Sequence, residues 1–332
     1  MNQCKTSAMK KIAFLTSGGD SPGMNACIRS IVKSCLNSNI IPVGIRDGYK
    51  GLMAGDFWEM NYSDVDNIIQ LGGTILGTAR SEDFKIAEKR KNAIRFLAEN
   101  SIDGLIVIGG DGTFTGATIL AKEVGISIIG IPGTIDNDIF GTDHSIGYDT
   151  ALNTVIEAVD KIRDTATSHH RVFFVEVMGK HAGFIALNSA IATGAEMVLV
   201  PEEITDIQLL VQQIKSQNQG KRSSIIIVAE GDDAGGSLDV INKVRPFLEN
   251  YDLRSSVLGH IQRGGSPTAF DRILATRMGD FAVQLLFDGK SNLMIGSVGD
   301  KLQTISILDG INKKIDFDTE KLKLLNRMLT SK

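Results

Sequence analysis

Residues 103–115 read DGLIVIGGDGTFT, and the fold of the chain is decided here. Residues 105–108 form a short apolar run rich in β-branched side chains that stops at Gly109-Gly110. A run of this length, bounded by glycine, predicts a strand buried on both faces of a parallel sheet. One carboxylate, Asp111, then sits among glycines, and a helix is expected from near Thr113. Glycine lets the backbone turn tightly and brings its N–H groups within reach of a polyphosphate. The N-terminus of the following helix adds free N–H groups and a positive dipole end at the same place. No basic residue adjoins Asp111 in the sequence. Its carboxylate is therefore open to a divalent cation such as Mg²⁺, or simply caps an ordinary strand-to-helix turn.

The same pattern occurs earlier. A strand over 11–16 (KIAFLT) ends in SGGD, residues 17–20, and Pro22 suits the turn or first helical position before a helix over 24–36. Two such units suggest one sheet with two phosphate-facing turns at the C-terminal ends of its strands. Further along, strands are expected at 41–46, 126–131, 171–177, 196–201 and 223–231, with a turn at 47–51 and Arg80 in a polar loop. Helices are expected at 86–99, 148–165, from the MGKHAG turn to 192, and at 206–217, 238–249 and 271–287. Arg254 is expected to precede a strand, and the tail from Lys301 is polar and uninformative. Strands alternating with helices predict α/β architecture: two Rossmann-like, three-layer α/β/α lobes with mostly parallel sheets. No Pro- or Ser-rich linker divides them. The expected boundary is soft: a larger lobe over 1–145, helped by the C-terminal part, and a smaller one over 146–332, with the chain crossing between them.

Bulk properties narrow the classes. At 332 residues, with 42% hydrophobic and 22% charged residues, the chain can bury a large core. A net charge of −4 argues against a general nucleic-acid binder. Cys4, Cys27 and Cys35 form no CxxC pair or disulfide framework, which favours a reducing cytoplasm. The N-terminal residues lack the apolar core of a signal peptide, and no run reaches membrane-spanning length.

PGTIDND, residues 132–138, is the second informative stretch. It follows a buried strand, so Asp136 and Asp138 share a sheet edge with Asp111. They could serve as a base and its orienter; the alternative is a self-capping Asx turn. Arg171, Arg254, His260 and Arg263 lie at strand and loop ends. Arginine suits a phosphate dianion because its planar fork donates two parallel hydrogen bonds. Each could also be a solvated surface residue. Glu230 could accept hydrogen bonds from sugar hydroxyls or be a strand-end acid. His144 and His169-His170 show no metal-ligand spacing and read as structural.

Taken together, LTSGGDSPGMNACIR, IGGDGT, PGTIDND, VEVMGKHAG and VLGHIQRGGSP resemble the bacterial ATP-dependent 6-phosphofructokinases, over residues 10–289. The resemblance implies transfer of the ATP γ-phosphoryl to the 1-hydroxyl of fructose 6-phosphate, with the first lobe holding Mg-ATP and the second the sugar phosphate. Gly19, Arg80, Ser81, Gly110, Asp111, Gly112 and Thr113 match ATP positions, and Asp111 the Mg²⁺ residue. Asp136 matches the catalytic base, with Thr134, Ile135 and Asp138 beside it. Met178, Gly179 and Glu230 match sugar positions. Arg171, Arg254, His260, Ile261, Gln262 and Arg263 match the region that holds the 6-phosphate, some of it donated by a neighbouring subunit, which implies a homotetramer. Lys180 stands where the family usually has Arg. The implied effector site, for a nucleoside diphosphate or phosphoenolpyruvate, matches in part: Arg29, Arg163, Gly194, Glu196 and Lys221 remain, but Lys33, Tyr62 and Gln219 replace family residues. In similar pyrophosphate-dependent enzymes Gly112 is an Asp and Gly133 a Lys, so this sequence favours ATP. A pyrophosphate-dependent enzyme and a non-catalytic nucleotide-binding regulator are the alternatives. A dinucleotide-binding oxidoreductase is disfavoured, because no GxGxxG follows the first strand.

Overall fold

A computed structural model describes residues 9–169, 171–217 and 223–329. The chain divides into two compact units, the first made of Met1–Thr134, Ile139–Asp149 and Arg263–Ile315, the second of Ile135–Asp138, Thr150–Gln262 and Asp316–Lys332. The expected second lobe, 146–332, is thus interrupted: a segment of about fifty residues returns to the first unit and supplies two strands of its sheet and two helices packed on its cores.

In the first unit β1 (Lys11–Thr16) leads to α1 (Met24–Asn37), β2 (Ile41–Ile45), α2 (Gly48–Ala54), β3 (Phe57–Glu59) and α3 (Ala87–Glu99). Next come β4 (Gly104–Gly109), α4 (Asp111–Val124) and β5 (Ser127–Pro132). In the second unit α5 (Tyr148–His169), which starts in the first, is followed by β6 (Arg171–Val177), α6 (Phe184–Thr193) and β7 (Met197–Leu199). Then follow α7 (Ile207–Gln217), β8 (Ser224–Ala229), α8 (Ser237–Val244) and β9 (Asp252–Val257). The returning segment carries α9 (Ala269–Phe287), β10 (Leu293–Val298), β11 (Lys301–Ser306) and α10 (Ile307–Asn312), and α11 (Thr319–Leu329) closes the second unit.

The first sheet has the order β11-β10-β5-β4-β1-β2-β3, with a parallel centre and an antiparallel strand at each edge; the second, β7-β8-β6-β9, is all parallel. In the first sheet β1 pairs with β2 on one side and β4 on the other, in the registers Ala13↔Val43 and Leu15↔Val107. The winding therefore reverses between β1 and β4. Open α/β sheets bind ligands at such a point, outside the strand C-termini, and here both Gly-Gly-Asp turns emerge. Two cores flank the sheet: Ile28, Ile31 and Phe14 pack with Leu274 and Met278 of α9 on one face, and Leu52, Phe96, Phe114 and Leu120 on the other. Phe174, Ile226 and Val240 anchor the core of the second unit. Cys27 and Cys35 are free thiols within the first core, and burial pushes the Cys35 thiol up to about 12 and Cys27 higher still. No helix among the described residues is long and apolar enough to cross a membrane.

Four local expectations are corrected. The turn at 47–51 is part of α2, held by tertiary packing: Tyr49 stacks on Phe84 at 4.1 Å and its hydroxyl donates to the Thr113 carbonyl. Helix α4 begins at Asp111, not near Thr113, so the carboxylate lies in the first helical turn. Arg254 lies inside β9, whose polar DLRSSV reflects an edge strand. The helix at 238–249 stops at Val244, and a 3-10 turn with Pro246 follows, since proline cannot continue the α ladder.

Gly109 makes the close approach of the two turns possible. A Cβ there would lie 2.3 Å from Thr113 Oγ1 and 2.4 Å from the Ser17 carbonyl. Gly109→Ala is expected to lower the unfolding free energy by about 1–3 kcal/mol, as overpacking does, with chemical denaturation as the measurement.

Candidate functional site

The two glycine turns are laced together. Ser17 N–H donates to the Ile108 carbonyl (3.0 Å), and Thr113 Oγ1 donates back to the Ser17 carbonyl (2.9 Å). Gly133 N–H donates to the Gly109 carbonyl (3.0 Å), so the loop after β5 is tied to the same edge. Thr113 is 2% exposed, its N–H donates to the Gly110 carbonyl and its hydroxyl is engaged, so its part is to lock the turn. Gly112, by contrast, is exposed, and a Cβ built on it meets no atom within 4 Å. Gly18 has φ +91° and its carbonyl accepts from Thr78 Oγ1 at 2.8 Å, two residues from the exposed Arg80. Ser81 Oγ accepts from the Phe84 N–H.

Arg263 belongs to the first unit and lies over the first turn. Its Nη1 donates to the Asp20 carbonyl at 3.3 Å, and a Cβ on Gly19 would meet that Nη1 at 2.4 Å. Glycine at 19 is thus what lets a guanidinium reach this edge. A carboxylate in the first turn of α4, Asp111, sits well with the positive end of the helix dipole. Mg²⁺ usually needs only one or two protein carboxylates, its remaining ligands being water and substrate phosphate. Asp111, in the first turn of α4 after a Gly-Gly turn, fits that requirement.

After Thr134 the chain passes into the second unit, which holds Ile135, Asp136 and Asp138. Thr134 and Asp136 are both 8% exposed. Asn137 stands between the aspartates at φ +54°, a left-handed conformation that asparagine tolerates better than most residues. Elsewhere in this unit the C-terminal sheet edge gathers several expected residues. Met178 N–H donates to Gln262 Oε1 (3.2 Å), and Lys180 N–H donates to Glu230 Oε1 (2.8 Å). Gly179 has φ +141° and Lys180 φ +59°, so glycine is required at the first position and the second is strained. Lys180, Glu230, His260 and Ile261 are exposed, and Gln262 is fully buried.

Arg171 and Arg254 lie elsewhere. Arg171 opens β6 and Met178 follows its end, so the strand separates them by ~20 Å at ~3.3 Å per residue. At the opposite edge the two arginines share Asp252, a residue the sequence reading missed: Arg171 Nε donates to Oδ2 (2.7 Å), and Arg254 Nε lies 2.8 Å from Oδ1. The signal was the D-x-R spacing, which puts both side chains on one face of a strand. Of the effector candidates, Arg163 donates to the Thr193 and Gly194 carbonyls (3.0 and 3.2 Å) and lies 3.6 Å from Glu196, whose Oε2 accepts from the Ile225 N–H. Arg29 and Lys33 are half-buried on α1, and the exposed Tyr62 donates to Asn37. Lys221 and Gln219, like His170 and Cys4, lie outside the described residues. His144 packs edge-on against Phe270.

A doubly wound α/β unit with two laced phosphate-type turns at its switch point defines a nucleotide-phosphate-binding class. Within that class the chain belongs to the phosphofructokinase family, whose pattern matches residues 11–286. It is 50% identical over 317 residues to an ATP-dependent 6-phosphofructokinase 1 of Thermus thermophilus, covering 95% of this chain and 98% of that protein. The solved phosphofructokinase of Saccharomyces cerevisiae superposes with a TM-score of 0.85 at 34% identity over 96% of this chain, which spans 47% of the yeast chain. A pyrophosphate-dependent phosphofructokinase of Marinobacter aquaeolei shares the fold, with a TM-score of 0.83 at 19% identity, 97% of this chain and 92% of that chain being covered.

The Arg171 and Arg254 guanidiniums hold the Asp252 carboxyl below its ordinary value, Arg171 contributing most. Its stabilising effect is therefore present in full above the unfolded value of ~3.9 and is lost as pH falls through the lower folded one. An NMR titration of the Asp252 carboxyl is expected to show a midpoint below the usual range, and Arg171→Ala should move it back upward.

Proposed function

We propose that the chain is an ATP-dependent 6-phosphofructokinase, which transfers the γ-phosphoryl of ATP to the 1-hydroxyl of fructose 6-phosphate and gives fructose 1,6-bisphosphate, a glycolytic step. The observation that carries this reading is the pair of laced Gly-Gly-Asp turns at the switch point of a phosphofructokinase-family chain. Phosphoryl transfer asks the protein mainly for positioning and charge neutralisation. The backbone at Gly19 and Gly110–Gly112 cradles the nucleotide phosphates, Thr113 locks that turn, and Arg80 and Ser81 lie on the loop beside it. Asp111 would hold Mg²⁺, and the ion would supply charge neutralisation at the phosphates. Asp136 takes the proton of the 1-hydroxyl as its oxygen forms the new P–O bond and the bond to ADP breaks. Thr134 and Asp138 fix the orientation of that loop, and Lys180 offers a point charge to the transferring group in place of a guanidinium fork.

Met178, Gly179, Glu230 and His260 orient the sugar, and Arg171, Arg254 and Arg263 take its 6-phosphate. Because Arg171 and Arg254 lie at the opposite strand edge from Met178, they serve a neighbouring subunit's site, which makes the working assembly an oligomer, a homotetramer in this reading. By the family resemblance, Arg29, Lys33, Arg163, Gly194, Glu196 and Lys221 are assigned to a site for a nucleoside diphosphate or phosphoenolpyruvate effector. Its missing forks imply weakened regulation. Free, buried thiols suit a reducing cytoplasm.

Two variants test the reading. Asp136→Asn is expected to lower kcat by ~10²–10⁴-fold, the usual contribution of a general base, while ATP binding measured by calorimetry persists; an active variant would remove Asp136 from the role. Gly112→Asp should fold with an unchanged melting temperature, since its side chain enters open space, yet raise the KM for ATP by at least about ten-fold through like-charge repulsion. Unaltered ATP kinetics would overturn the account of donor choice.

A further inference from the structure

Asp252 has no place in the scheme above, yet it touches both arginines assigned to the 6-phosphate. In the parallel pairing of β6 with β9, Arg171 stands directly opposite Asp252. Arg254 follows two residues later on β9, and the period of a strand returns it to the same face. Three side chains thus converge at one sheet edge, in the order cation, anion, cation. The contacts are specific: Arg171 Nε donates to Oδ2 at 2.7 Å, Arg254 Nε approaches Oδ1 at 2.8 Å, and Arg254 Nη2 donates to Oδ2 at 3.2 Å. One carboxylate therefore uses both oxygens to hold two guanidiniums by their inner nitrogens. Both Nη groups of Arg171 remain without a partner among the described residues, and so does Nη1 of Arg254.

Two guanidiniums brought together repel, and each long side chain loses rotamer freedom when fixed. Asp252 offsets both costs. Its side chain is 40% exposed, and those of Arg171 and Arg254 are 26% and 52% exposed, so the cluster is open to a ligand. The net charge of the triad is +1, which still attracts a phosphate dianion, and the planar forks present parallel donors to its oxygens.

We propose that Asp252 is a positioning residue that holds Arg171 and Arg254 as a preformed receptor for the phosphate of the sugar substrate. The inference rests on the assignment of these arginines to that phosphate. It also assigns Asp252 to the substrate site of whichever protomer the two arginines serve.

Steady-state kinetics with fructose 6-phosphate and ATP, on the full-length enzyme, separate the possibilities. Asp252→Asn should raise the KM for fructose 6-phosphate about ten-fold, the scale of one charge-assisted contact. The kcat and the KM for ATP should stay near the parent values, and the ligand-free melting temperature should fall only by the small loss of an exposed ion pair. Asp252→Glu, which keeps the carboxylate, should recover most of the loss. In an Arg171→Ala background, Asp252→Asn should add less loss than it causes alone, because one of the two arms it positions is gone. Inorganic phosphate should compete with the sugar phosphate less well in Asp252→Asn than in the parent. An unchanged or lower KM in Asp252→Asn, while Arg171→Ala raises it, would overturn the positioning role alone. Failure of Arg171→Ala to change the KM would instead overturn the phosphate assignment beneath it. A loss of kcat and melting temperature together, not recovered by Asp252→Glu, would make Asp252 a structural residue and nothing more.

Discussion

The hydrogen bond from Thr113 Oγ1 to the Ser17 carbonyl is the constraint on which the first unit depends. It joins two turns that leave adjacent parallel strands at the place where the sheet reverses its winding. Glycine at 109 gives the space for it, and Tyr49 closes it from behind by donating to the Thr113 carbonyl. With the turns fixed, the positive end of α4 and the carboxylate of Asp111 have a defined direction. Without the Thr113 hydroxyl, and with no water in its place, the Ser17 carbonyl would lose its side-chain donor, at roughly 1–3 kcal/mol.

Chemistry in this chain is divided between a rigid edge and strained loops. Thr113 and Gly109 are locked and buried, whereas Asn137 and Lys180 occupy the left-handed region beside candidate reacting residues. Strain of this kind persists only where surrounding contacts over-determine it, as the Glu230 carboxylate does by holding the Lys180 N–H. In the proposed account, donor choice follows from the reverse condition at Gly112, where the protein itself leaves space. The constraint there comes from the ligand. That is why a fold shared with pyrophosphate-dependent relatives is silent about the phosphoryl donor.

Strand β10, which runs parallel to β5, was not expected, whereas β1, β2, β4 and β5 were legible as short apolar runs bounded by turn residues, as in LIVIGG. Residues 171–177 gave β6 at its observed bounds for the same reason. Where burial is one-sided or polar the signal fails. Strand β11 has the burial pattern of an exposed edge and did not announce itself; β9 is mostly polar, so its start at Asp252 was missed and only a strand after Arg254 was expected. Helix α2 reads as a turn because its helicity comes from Tyr49 and Leu52 finding a core, not from DGYKG itself. Residues at glycine turns were readable one by one. The pairing of Asp252 with Arg254 could be read from the D-x-R spacing, but its approach to Arg171 lies in a cross-strand register that spacing does not reveal.

The return of residues 263–315 to the first unit bears on how the chain emerges during synthesis. Ser30 of α1 donates to the Thr276 carbonyl of α9, 246 positions further along, and the apolar side of α1 is covered by that late helix. Until α9 leaves the ribosome, Ile28 and Ile31 have no lid and β5 lacks its neighbour β10. Domains generally fold as units in the order in which they are made, but here the first unit to begin is among the last to finish. Such a nascent chain exposes a sticky helix face for most of its translation, an opening for chaperones and for aggregation alike.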